Sequence, residues 1–173
     1  MQRSALKIHD LLLRPAHVWE DEWFLLTAGD LSAGSYNAMT VAWGSLGTMW
    51  TRPFAQVVVR PSRHTWNFMN DYDTFTLCRF PASYKKALNY LGSVSGRDVP
   101  DKLVVAGLTP IAVPGVAAPG FDEADLIIAC KKIYWQDMDE THFLDPAILK
   151  KYPGGFDFHR IYFGEIRHCE AAR

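Results

Sequence analysis

Residues 37 to 69 read NAMTVAWGSLGTMWTRPFAQVVVRPSRHTWNFM. Phe54 to Arg60 (FAQVVVR) is the clearest strand in the chain, because it is rich in β-branched residues and is bounded by Pro53 and Pro61. Ala38 to Trp43 is a second strand, entered through the turn-rich DLSAGSYN. Its alternation puts Ala38, Thr40 and Ala42 on one face and Met39, Val41 and Trp43 on the other. Small residues on one face let a flat ring lie against the backbone; the bland alternative is that Met39 and Trp43 are core. Ser62 is placed to cap a short helix over His64 to Asn70.

Working outward, Trp23 to Ala28 is a strand stopped by Gly29-Asp30, and Thr74 to Phe80 is a strand stopped by Pro81. Ala82 to Leu91 carries one helical face formed by Tyr84, Ala87, Leu88 and Leu91. Asp101 to Gly107 is a helical turn capped by Asp101, and Pro146 to Tyr152 is a short helix opened at Asp145. Ala124 to Met138 is a long strand bent near Lys131-Lys132, and His159 to His168 closes the chain as a strand. Six or so strands, with helices too short to cover both faces of a parallel sheet, make residues 1–173 one mainly β domain with short helices (α+β), a barrel with helical decorations.

The composition removes several classes of function. Eighteen Lys and Arg stand against 19 Asp and Glu, so there is no electrostatic footprint for nucleic acid. No segment approaches the ~20 apolar residues of a membrane span, and the three-residue Leu run before Arg14 is too short for a signal peptide. The expectation is a cytoplasmic protein. Cys78, Cys130 and Cys169 form no CxxC pair, HExxH is missing, and the histidines lack metal-ligand spacing, so no metal is expected. Neither GxGxxG nor GxxxxGK[ST] occurs.

What remains has the character of an anion site. Arg60-Pro-Ser-Arg-His-Thr65 lies where a strand ends and a helix begins, with two guanidinium forks, two hydroxyls and free backbone amides. An N-cap with two solvated arginines would give the same letters. Ser95-Gly-Arg-Asp98 is a second such cluster, or only a helix stop with a solvated Arg-Asp pair.

These segments, taken with FTLCRFP and HRIYFGEI and in this order, resemble the flavin reductase-like FMN-binding split-barrel family, and its flavoredoxin branch most closely. The resemblance covers roughly Thr27 to Glu165; the N-terminal thirty residues and Val113 to Phe121 have no counterpart. It implies a homodimeric split β-barrel with FMN near the dimer interface. Asn37, Met39, Thr40, Val41, Ala42 and Trp43 then line the ring and ribityl parts. Arg60, Ser62, Arg63 and Thr65 form the phosphate turn, and Ser95, Gly96, Arg97 and Asp98 form the loop closing over it. His159 matches a histidine near the reactive flavin face and is the one candidate catalytic residue, although a lone His at a strand start is commonly structural. The implied activity is NAD(P)H-dependent flavin reduction, with NADH or NADPH as reductant; the alternative is a non-enzymatic FMN electron carrier.

Overall fold

A computed structural model of the chain describes residues 2–172. In chain order the strands are β1 (Arg3–Ala5), β2 (Phe24–Asp30), β3 (Ser35–Val41), β4 (Gly44–Met49), β5 (Arg52–Val59), β6 (Thr74–Arg79), β7 (Pro110–Ile111), β8 (Gly120–Phe121), β9 (Leu126–Asp137) and β10 (Arg160–Ala172). The helices are α1 (Pro15–His17), which runs on into a π-turn over Val18–Glu22, then α2 (Thr65–Asp71), α3 (Lys85–Ser93), α4 (Lys102–Val105) and α5 (Pro146–Leu149). One antiparallel sheet runs β3-β2-β6-β9-β10-β5-β4, with β1 added along β10 and β7-β8 standing apart.

The sheet does not close. Its two end strands, β3 and β4, are consecutive in the chain and separated only by Ala42 and Trp43. The barrel is therefore split at that dipeptide. β2 is mostly apolar and, Thr27 included, buried on both faces: Phe24, Leu26 and Ala28 enter one core and Leu25 the other. The first core joins β2, β3, β5, β6, β9 and β10 with Met69 of α2. The second lies under α3 and α4, where Leu88, Leu91 and Leu103 pack on Leu25, Ala38 and Ile127. Pairing shifts between Phe163 and Gly164 opposite Tyr134 and Lys132, so β9 bulges at the bend expected near Lys131-Lys132. A Cβ on Gly164 there would collide with the Phe75 ring and Cys130.

Several sequence expectations need correction. β4 was not foreseen; it pairs with β5 through a turn in which Trp50 and Thr51 both take positive φ, 53° and 57°. Ser62 does not cap α2, which begins at Thr65 with no side-chain cap, and Asp101 sits at the N-cap of α4 but its side chain makes no cap bond. Asp145 does cap α5, accepting from the Ala147 amide, but α5 ends at Leu149 rather than Tyr152. On the small-residue face of β3, Ala38 packs with Leu88 and Leu91 and the Thr40 hydroxyl donates to Leu88 O at 2.5 Å. No helix among the described residues is long and apolar enough to cross a membrane.

Candidate functional site

Two cavities share Met39 and lie side by side at the split. The larger, about 140 Å3, is lined by Met39 to Trp43 with Val58, Arg60 and His159. The smaller, about 70 Å3, is lined by Asn37, Met39, Ser62 to Thr65, Ser93 to Gly96, and Lys102. Thus β3 supplies one wall of both and the region from the end of β5 to α2 a second, while the loop after α3 closes the smaller and His159 the larger.

The smaller cavity is a cationic cradle. Asn37 Nδ2 donates to Thr65 Oγ1 at 2.8 Å, which ties β3 to α2. That bond uses the hydroxyl as acceptor, and its proton goes to no protein group among the described residues. Gly96 closes over the same asparagine, and a Cβ there would collide with Asn37 Oδ1. Arg63 donates to Gly92 O at the end of α3, which fixes its guanidinium at the rim. Lys102 is 2% exposed and donates to Val94 O at 3.0 Å, and among the described residues no carboxylate pairs with it. Burial, with Arg63 adding repulsion, holds its ammonium down to about 8. His64 Nδ1 is buried without a partner, and burial, then Arg97 and Lys102, lower that imidazole's pKa. A buried ammonium, a guanidinium, an undonated hydroxyl and a glycine approach together suit a small polyanion.

The larger cavity is apolar on one side and aromatic on the other. The Trp43 and His159 rings lie 5.1 Å apart, and Trp43 is about half exposed at the mouth. His159 accepts or donates one side-chain bond, Nδ1 to Tyr152 OH at 2.7 Å. Its burial, with Arg60 adding repulsion, lowers the imidazole to about 4, so it is neutral at physiological pH.

Of the residues the sequence proposed, Asn37, Met39, Ser62, Arg63, Thr65, Ser95 and Gly96 are brought around the smaller cavity, and Thr40, Val41, Ala42, Trp43, Arg60 and His159 around the larger. Arg97 and Asp98 are exposed and line neither. Arg60 and Ser62, which line these cavities, also engage Asp157. The Asp157 carboxylate accepts from Ser62 N at 2.9 Å and Ser62 Oγ at 2.7 Å, and pairs with Arg60 at 3.8 Å. Arg60 also donates to Lys151 O and lies 4.8 Å over the Tyr152 ring. Lys102, Tyr152 and Asp157 were missed. Lys102 carried only a faint signal, as a lysine four residues beyond the Ser95-Gly-Arg-Asp98 cluster.

The three cysteines offer no alternative chemistry. All are buried, and burial pushes Cys78 up to about 12, Cys169 to about 11 and Cys130 well above its ordinary value. Among the described residues no cluster of metal-ligating side chains exists. A larger cavity, about 530 Å3, lies between the N-terminal segment and β4; His9 is the one ionisable group in its lining, so it lacks converging polar chemistry.

Comparison with known proteins agrees with this geometry. No curated protein matches the chain. Among solved structures, the FMN-binding domain of a flavin reductases-like enzyme from Shewanella baltica has a TM-score of 0.68 at 19% identity, covering 98% of this chain and 77% of its own. Flavoredoxin of Desulfovibrio vulgaris gives 0.67 at 21%, covering 97% and 76%. The NADH:FAD oxidoreductase of Streptomyces globisporus, in complex with NAD and FAD fragments, gives 0.65 at 14%, covering 87% and 74%. These likenesses establish the split-barrel fold. The profile of the family described as "Flavin reductase like domain" matches residues 22–173, so the chain belongs to that family.

Proposed function

We propose that the protein binds FMN across the two cavities and works as a NAD(P)H-dependent flavin reductase. The observation that carries the reading is the buried, carboxylate-free Lys102 beside Arg63, Thr65 and Gly96, one residue (Met39) away from an aromatic cavity. The phosphate belongs in the cradle, and the ring belongs at Trp43 and His159. FMN is favoured over a dinucleotide because the cradle is small, about 70 Å3.

A bound flavin would supply hydride acceptance, which is the cofactor's own chemistry. The chain's part is placement. Lys102, Arg63 and Thr65 hold the phosphate; Met39 and Val41 form the apolar wall; neutral His159 offers a hydrogen-bonding edge without a charge. The half-exposed Trp43 leaves the mouth open to a second flat ring, as a nicotinamide requires. The same opening suits electron exchange with a protein partner, which is the carrier reading.

A homodimer is part of this proposal. Trp50, Tyr134 and Trp135 are 56%, 43% and 54% exposed, an aromatic load of the kind interfaces bury. Anaerobic mixing of the FMN-loaded protein with NADH or NADPH tests the reaction. Bleaching of the flavin band within seconds is the expected result; bleaching only by a reduced protein partner would replace the reductase with the carrier.

A further inference from the structure

His159 is neutral, so it carries one N–H, and which nitrogen holds that proton decides what the ring shows the larger cavity. Nε2 has no protein partner among the described residues, and the ring lines that cavity. Nδ1 is 2.7 Å from Tyr152 OH.

Tyr152 is itself fixed from three sides. It is 4% exposed, its ring lies 4.7 Å from Phe158 and 5.8 Å from Phe143, and the Arg60 guanidinium covers it at 4.8 Å. Burial raises the phenol's pKa, so it keeps its proton. That single proton has two acceptors in reach: His159 Nδ1 at 2.7 Å and Met138 Sδ at 3.6 Å. A thioether is a weak acceptor and an imidazole nitrogen a strong one. The 2.7 Å separation also matches a hydroxyl donor, since N–H donors sit mostly near 2.9–3.0 Å. The main chain holds the ring's base in place as well, through Met138 N to His159 O at 2.9 Å.

We propose that Tyr152 is a positioning residue: its hydroxyl donates to His159 Nδ1 and so sets the tautomer in which Nε2–H faces the flavin-ring cavity as a donor. The inference rests on the flavin reading of that cavity. Its consequence is that the ring edge met by His159 is an acceptor edge, a carbonyl or bare ring nitrogen of the isoalloxazine. A Met138-directed hydroxyl would instead take Nδ1–H and leave Nε2 as a bare base.

The test begins on the wild-type chain without cofactor, by long-range proton–nitrogen correlation spectroscopy of the histidine rings. The expected pattern for His159 is protonated Nε2 and bare Nδ1, dominating by about tenfold, the ratio an ordinary hydrogen bond supports. Tyr152→Phe should lower that ratio severalfold, by the loss of one ordinary hydrogen bond, and Met138→Leu should leave it unchanged. A dominant Nδ1–H form in the wild type, or an unaltered pattern in Tyr152→Phe, overturns the proposal. A tautomer shift in Met138→Leu overturns it as well, and that arm and the wild type stay readable if Tyr152→Phe does not fold. Titration with FMN separates the two claims: no FMN binding with the expected tautomer defeats the flavin reading alone, and FMN binding with the Nδ1–H tautomer defeats this inference alone.

Discussion

Lys102→Met should make the empty protein more stable while weakening its hold on FMN. The Lys102 ammonium ordinarily titrates at 10.5 and is held to about 8 here, a difference worth about 3 kcal/mol at 1.36 kcal/mol per unit. Below pH 8 the lysine is charged in both folded and unfolded chains, so the full burial cost is present at pH 7. Between about 8 and 10.5 the unfolded chain binds the extra proton, and stability rises with pH. Methionine removes that cost but leaves Val94 O and Leu91 O, now 3.0 and 3.5 Å from Nζ, without their donor, at about 1 kcal/mol each. The net is about 1 kcal/mol in favour of the variant, or roughly 2–4 °C in Tm for a chain of this size. FMN should bind the variant about ten- to a hundredfold more weakly, because a charged hydrogen bond to phosphate is worth ~1.5–3 kcal/mol. Wild-type affinity should fall above pH 8 as Lys102 loses its proton, and the variant should show no such fall. Calorimetric melting and FMN fluorescence titration from pH 7 to 9.5 read both. Unchanged affinity in the variant, or a Tm lowered by several degrees, would refute the reasoning.

Arg63→Ala and Thr65→Ala should each weaken FMN by about tenfold or more at nearly unchanged melting temperature, read by the same titration. Asp157→Asn removes the negative charge lodged on Ser62 and Arg60, so FMN should bind about two- to fivefold more tightly, the scale of one exposed charge pair; weaker binding would show that Asp157 supports the site. Gly96→Ala drives a methyl into Asn37 and should cost FMN affinity more than fold stability, seen by comparing titration with thermal melts. His159 titrates at about 4 folded against an ordinary 6.5, so acid favours the unfolded chain between those values. Stability should therefore decline by at most about 3 kcal/mol from pH 6.5 to 4 on its account, and His159→Gln should flatten that part of the profile in urea melts.

Where local chemistry decides structure, the sequence was readable. Phe54 to Val59 is a strand because its branched residues suit a pleated surface, and Asp145 caps α5 because proline follows it. β4 was opaque because GSLGTM has two glycines and no β-branched run, and its hairpin turn uses Trp50-Thr51 where Asn-Gly would have announced it. The site was legible along β3 and at Arg63 and Thr65, whose neighbours in sequence are also neighbours in space. Lys102 reads as a solvated charge in a short helix, and only the packing of α4 against the loop after α3 buries it. Ser62 and Arg60 read as solvated donors, whereas Asp157, 95 residues from Ser62, also engages both. Such pairings are set by tertiary placement, which no local pattern encodes.

The central claim is a phosphate cradle joined to a ring site, and paired titrations of the cofactor-free protein with FMN and riboflavin test it most directly. The account expects FMN to bind at least about a hundredfold more tightly than riboflavin, since the two differ only in the phosphate that Lys102, Arg63 and Thr65 would hold. Equal affinities, or no binding of either, would contradict it.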